Sequence, residues 1–214
     1  MLKNIIFDFG GVIIPINYSK TIDAFEQLGA KDVVQYFSQL SQVELFDQLD
    51  KDTISNADFR THFNKLFNLN LPVKDFDAAW NAMLLDIPNS HIAFLQQLKE
   101  RYNLYLLSNT NRIHIDAINA YLKTAHNIDD WKSYFTKVYY SFDIGMRKPD
   151  EDIFRKVINE NQLNLSETLY IEDNDKNLEA AQQIGLPAYT YPMNADLPTE
   201  LNFLLNKTFQ SKYL

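Results

Sequence analysis

The sequence predicts an α/β fold: a doubly wound parallel sheet with a helical bundle inserted after the first strand. Two observations predict it. Short apolar runs rich in β-branched and aromatic residues recur along the chain, spaced by helical patterns. The segment from roughly Tyr18 to Asp86 shows helical periodicity and no convincing strand. With 214 residues, 46% of them hydrophobic, the chain can bury one core, or one core with an insertion.

The five strand candidates are NIIFDF (4–9), LYLLSN (104–109), KVYYS (137–141), TLYIED (168–173) and PAYTYP (187–192). Their near-continuous apolar character suits strands covered on both faces. Residues 89–101 place Ile92, Leu95 and Leu98 on one helical face. Residues 150–161 begin acidic just after Pro149, a favourable start against the helix macrodipole, and align Ile153, Phe154, Val157 and Ile158. DKNLEAAQQIG aligns Leu178, Ala181 and Ile184 and stops on Gly185, a candidate C′ glycine. Alternating strand and helix implies the doubly wound sheet.

In the insertion, KTIDAFEQLG reads as a helix stopped by Gly29. Ser55 and Asp58 have capping-box spacing ahead of Phe59, Phe63, Leu66 and Phe67 on one face. KDFDAAWNAMLL repeats the pattern with Phe76, Trp80, Met83 and Leu84. The expected organisation is a core domain of 1–17 and 87–214 with a helical cap of 18–86. Such a cap would lie over the carboxyl ends of the strands and close a site against water.

The formal net charge of −8 argues against a broad nucleic-acid surface, which needs clustered Lys and Arg. A small anionic substrate stays compatible, held by a lysine, helix N-termini and a divalent cation. The absence of cysteine excludes disulfides and thiolate metal sites. The N-terminal residues lack a signal-peptide pattern and no apolar run is long enough for a bilayer, so a cytoplasmic protein, monomer or homodimer, is expected.

Polar residues close four of the strand candidates. Asp8 is a turn aspartate or a covalent nucleophile, and Gly10 and Gly11 beside it allow a sharp turn and a close approach. Ser108 and Asn109 are a helix N-cap or a phosphate-binding pair. Lys148 is a solvated loop lysine or a point charge for a phosphate, with Arg147 beside it read as surface. Glu172 and Asp173 follow an apolar strand, where packing gives no reason for two acids. Side-chain alternation lets only one of them share a face with a given neighbour. Asp173 is the choice for a direct Mg²⁺ ligand, with Glu172 assisting; Asp175 and Asn177 steady the loop or cap the next helix. The four histidines form no constellation, and His114 is read as surface or as a supporting residue. No G-x-S-x-G, Walker A or G-x-G-x-x-G motif is present.

FDFGGVI, LLSNTN, GMRKP and YIEDNDKNLEAA, in this order from Asp8 to Ala181, resemble the four motifs of the haloacid dehalogenase-like (HAD-like) hydrolase superfamily. The insertion resembles the cap of the subfamily capped after the first motif, on a Rossmann-like HAD core. LSNTNRIH and IGMRKPD further resemble bacterial sugar-phosphate phosphatases of the α-D-glucose-1-phosphate type. The resemblance implies that Asp8 attacks phosphorus, and that Ser108, with Asn109 beside it, binds the phosphoryl group. It also implies that Lys148 stabilises negative charge, and that Asp8, Asp173 and the Gly10 carbonyl ligate Mg²⁺. Water then hydrolyses an aspartyl phosphate.

One departure stands out. Most phosphatases of the superfamily carry a second aspartate two residues after the nucleophile, as general acid and base; here that position is Gly10. General acid–base catalysis is worth about 10²–10⁴-fold. The proton would have to be handled by water, substrate or a cap residue. Three functions therefore stay open: a Mg²⁺-dependent phosphatase of a small phosphorylated substrate, a 2-haloacid dehalogenase-type hydrolase, and a catalytically weak phosphate-binding or regulatory protein.

Overall fold

The computed structural model describes residues 1–37 and 44–210. The apolar runs become β1 (Asn4–Phe7), β2 (Asn103–Ser108), β3 (Lys137–Tyr140), β4 (Thr168–Glu172) and β5 (Ala188–Thr190). They form one parallel sheet in the order β3-β2-β1-β4-β5. Phe7 pairs in register with Leu106 on one side and Ile171 on the other. The chain winds outward from β1 through β2 to β3, then crosses back to β4 and β5. The topological switch therefore lies between β1 and β4, where the loops leaving the two strands diverge and leave a crevice.

The helices are α1 (Tyr18–Gln27), α2 (Val34–Phe37), α3 (Glu44–Asp50), α4 (Asn56–Leu66), α5 (Val73–Asn81), α6 (Asn89–Lys99), α7 (Arg112–His126), α8 (Ser141–Ile144), α9 (Glu151–Glu160), α10 (Asp175–Gln183) and α11 (Leu197–Gln210). Strand alternation splits the core in two. Ile5, Phe7, Leu104 and Leu106 face α6, α7 and α11, whose Leu95, Leu98, Ile118, Leu122 and Leu201 complete that layer. Ile6, Tyr105, Leu107 and Tyr170 face α9 and α10 through Ile153, Phe154, Val157 and Ala181.

The segment between β1 and β2 has an apolar centre of its own. Phe25, Leu49, Phe59, Phe63, Phe76 and Trp80 bury together, and Ile113 of α7 joins them from the sheet side. Ser55 caps α4, its Oγ accepting from the Asp58 amide at 3.1 Å, as the spacing predicts. Gly29 and Gly185 follow α1 and α10 at φ +100° and +81°, where a side chain would be strained.

The apolar patterns above leave 112–126 unassigned, yet it forms α7. Its N-cap is Asn111, whose side chain accepts from the His114 amide. Ser108 and Asn109 therefore do not cap this helix; Ser108 ends β2. β1 is shorter than its apolar run and stops at Phe7, because Phe9 already turns: its carbonyl accepts from the amides of Ile13 and Ile14. Among the described residues no helix is long and apolar enough to cross a membrane.

Phe63 is fully buried, with ring centroids 4.5 Å from Phe25, 4.6 Å from Phe67 and 5.1 Å from Phe76. Phe63→Ala removes a ring from the middle of this cluster and should destabilise the protein by about 3–5 kcal/mol in urea unfolding.

Candidate active site at the switch point

Asp8 is the first residue past β1. Its amide donates to the Ile171 carbonyl at 2.9 Å, which ties the end of β1 to β4. Beyond it the chain folds back, the Gly11 amide donating to Ile14 at 2.8 Å. The two glycines of this turn are there for different reasons. Gly11 sits at φ +79°, and a Cβ there would lie 2.2 Å from Oδ2 of Asp173. A Cβ on Gly10 would meet nothing closer than Ile16 at 3.5 Å. Sterics require glycine at 11 and not at 10.

Lys148 is the centre of the site. Its Nζ donates to Asp8 Oδ1 and to Glu172 Oε2, each at 2.7 Å, and its side chain is 1% exposed. Asn109 clamps the backbone of the same residue, accepting from the Lys148 amide and donating to its carbonyl, both at 2.8 Å. Glu172 is wholly buried and collects further donors: the Tyr170 hydroxyl, Asn177 Nδ2 at 3.1 Å and the Asn174 amide at 3.1 Å. Glu172 and Asn109 are thus the residues that hold Lys148. Ser108 is buried at the end of β2 and lines the same cavity as Asp8.

The charges explain the titration behaviour. Burial disfavours an ammonium, but Asp8 and Glu172 outweigh it and hold Lys148 above its ordinary value. Burial also opposes ionisation of Glu172, yet Lys148 and the donors around it keep this carboxyl below the usual range. Burial pushes Asp8 up, reinforced by Glu172 and only partly offset by Lys148. Burial and the Glu172 charge likewise push Asp173 up to about 7. Oxygen atoms of Asp8, Glu172 and Asp173 lie within 4.8 Å of one another. Three crowded carboxylates share one ammonium, so the site carries excess negative charge. The Gly10 carbonyl, two residues past Asp8 in sequence, accepts no backbone hydrogen bond among the described residues. Hard oxygen donors with uncompensated charge fit a divalent cation such as Mg²⁺.

Three expectations need correction. Glu172 and Asp173 both approach Asp8, because β4 ends at Glu172 and strand alternation no longer governs Asp173. Arg147 is not a surface residue: it is 5% exposed, pairs with Asp47, and lies 3.6 Å from Asp50, both on α3. Of the two readings of His114 the surface one fails: it is buried, stacked on Trp80 at 5.3 Å and bonded through Nδ1 to Asn81 at 2.8 Å. Burial pushes its pKa down to about 3, so it is neutral. The contribution of α3 escaped the sequence pattern, although a run with Asp47, Asp50 and Asp52 inside an otherwise apolar bundle was a signal that could have found it.

These groups open into one cavity of about 390 Å³, within the range of small-molecule sites. Asp8, Ser108, Lys148 and Asp173 line it from the sheet; Tyr18, Asp50 and Trp80 line it from the inserted helices.

The model of the haloacid dehalogenase-like hydrolases matches residues 2–185. The chain belongs to this family. A D-ribitol-5-phosphate phosphatase of Bacteroides thetaiotaomicron is 29% identical over 208 residues, covering 96% of this chain and all of that one. A HAD family enzyme of the same organism, solved with magnesium and inorganic phosphate, is 31% identical at a TM-score of 0.84, covering 92% of this chain and 96% of that one. A HAD-like hydrolase of Porphyromonas gingivalis is 28% identical at 0.84, covering 96% and 98%. L-2-haloacid dehalogenase of Xanthobacter autotrophicus shares the HAD-like fold at 16% identity and a TM-score of 0.57, covering 88% and 76%.

In this HAD-like chain the glycine pair gives a direct test. Gly11→Ala should destabilise by more than ~1 kcal/mol and weaken Mg²⁺ binding, read by thermal denaturation and calorimetric titration. Gly10→Ala should stay within ~1 kcal/mol of the wild type.

Proposed function

We propose that this chain is a Mg²⁺-dependent phosphatase of a small phosphorylated metabolite, a sugar or polyol phosphate, acting through an aspartyl phosphate on Asp8. The observation that carries the reading is the buried ammonium of Lys148, set 2.7 Å from Asp8 in a cavity with a third, uncompensated acid at Asp173. Asp8, Asp173 and the Gly10 carbonyl would hold Mg²⁺, which when bound supplies charge neutralisation to the phosphoryl group.

The chain's own groups divide the remaining work. Lys148 engages Oδ1 of Asp8 and leaves Oδ2 as the attacking atom. As Oδ2 bonds to phosphorus, the ester P–O bond breaks and its electron pair leaves with the alcohol oxygen. The ammonium offsets charge on the transferring group, in a position fixed by Glu172 and Asn109 before substrate arrives. Ser108 offers a hydroxyl on the same wall. Water then attacks phosphorus, releasing phosphate and restoring Asp8. In this reading residues 18–86 are the cap and 1–17 with 87–214 the core, the cap excluding bulk water from the acyl phosphate. The D-ribitol-5-phosphate phosphatase relative supports a polyhydroxylated leaving group. Attack on carbon, as in a dehalogenase, gives no role to a crowded third carboxylate, so the trio favours the phosphatase.

The decisive experiment measures phosphate release from a panel of sugar and polyol phosphates, D-ribitol 5-phosphate included. Asp8→Asn should lower release by at least about 10³-fold. EDTA should abolish it and added Mg²⁺ restore it. Undiminished release by Asp8→Asn refutes the reading.

A further inference from the structure

The cavity poses a problem of proton supply. An alcohol leaves poorly as an alkoxide, and position 10 has no side chain to protonate it. The polar groups of the cavity are mostly engaged. Asp50 lies 3.6 Å from Arg147 and accepts from Asn111. His114 is neutral, with Nδ1 on Asn81. Asn109 is spent on the backbone of Lys148. Lys176, on the first turn of α10, also lines the cavity, but it is exposed to solvent. Tyr18 is different. It lines the cavity together with Asp8 and Gly10, its ring packs against the core, and its hydroxyl has no hydrogen-bond partner among the described residues.

Its position also fits. Tyr18 opens α1, where Asn17 caps the helix by accepting from the Ser19 amide at 3.0 Å. The arm leading to it is fixed: the Ile16 amide donates to Asn194 at 2.9 Å and the Asn17 amide to Met83 at 2.8 Å. Ile16, two residues earlier, is the side chain that a substituent on Gly10 would approach. Gly10, Ile16 and Tyr18 therefore line one stretch of the same cavity wall. Tyr18 shares the cavity with Asp8, Glu172 and Asp173 from the sheet and with Asp50 from the inserted helices.

We infer that Tyr18 is a catalytic residue that hydrogen-bonds the leaving-group oxygen and delivers its proton, in the role that Gly10 cannot fill. The inference rests on the phosphatase reading and deepens it. As Asp8 bonds to phosphorus, the departing oxygen takes the electron pair of the broken P–O bond and the phenolic proton, and leaves as a neutral alcohol. The phenolate then takes a proton from the water that attacks the aspartyl phosphate, so phenol and carboxylate are both regenerated. Burial raises the phenol, so the donor carries its proton at the start of each turnover.

The test is the dependence on leaving group. An aryl ester such as p-nitrophenyl phosphate leaves without protonation, whereas D-ribitol 5-phosphate needs it. Tyr18→Phe should lower kcat/KM on D-ribitol 5-phosphate about 100-fold more than on p-nitrophenyl phosphate. Gly10→Asp added to Tyr18→Phe should recover much of the loss on the alkyl ester, since the site has room for that side chain at Cβ. A Tyr18→Phe loss equal on both esters overturns the inference, because a merely structural tyrosine acts on both alike. If the wild type turns over neither ester nor any of the panel, the phosphatase reading fails first and takes this one with it.

Discussion

A buried ammonium between two buried carboxylates organises this protein. Lys148 lies 140 residues from Asp8 and 24 from Glu172 in sequence, yet touches both at 2.7 Å. Burying three charges is expensive, and breaking such an arrangement by removing one partner typically costs about 3–5 kcal/mol. It is tolerated because each member is satisfied several times over. Tyr170, Asn174 and Asn177 complete Glu172, and Asn109 fixes the Lys148 backbone on both sides. These residues come from β4, the loop just after β2, the loop before α9, and the N-cap and first turn of α10. Only a sheet whose strand order reverses between β1 and β4 brings those segments to one crevice.

The inserted helices meet the core along two different kinds of contact. On the α5 side the contact is largely apolar: Trp80 stacks on His114, and Ile113 joins the aromatic cluster. On the α3 side it is ionic. Asp47 and Asp50 pair with Arg147, Lys51 with Asp150 at 3.5 Å, and Asp52 with Arg112 at 3.1 Å. The Arg147 pairs are buried on the arginine side and resist screening, whereas the outer two are exposed and add little. Arg147 also precedes Lys148 directly, so the segment that carries the buried ammonium is the segment the insertion grips.

The sheet was legible because period-2 burial on both faces writes near-continuous apolar runs, and all five became strands. The ends were less legible. Asp8 and Asp173 lie one residue outside their strands, which a hydrophobic run cannot reveal since Phe9 is as apolar as Phe7. The acids stood out as polar residues closing apolar runs, a pattern that packing does not explain, whereas Lys148 lies in a loop beyond β3 and α8. Arg147 was misjudged, and the hold of Asn109 on Lys148 was not foreseen, for a common reason. Each has a partner distant in sequence, α3 for the first and Lys148 for the second, and local pattern carries no information about such pairings. α7 was missed because its N-cap, Asn111, lies only three residues past β2, inside what reads as one polar turn.

The two glycines after Asp8 separate what geometry demands from what chemistry permits. Gly11 is strongly favoured: φ is positive there, and a Cβ would displace the carboxylate of Asp173. Gly10 has neither constraint, so the missing carboxyl there reflects no steric limit of the turn. A carboxyl at that point would add another acid to a site where Asp8, Glu172 and Asp173 already crowd one ammonium. Like charges raise one another's pKa, so an acid placed there would hold a proton available for donation, the same service proposed for the phenol of Tyr18.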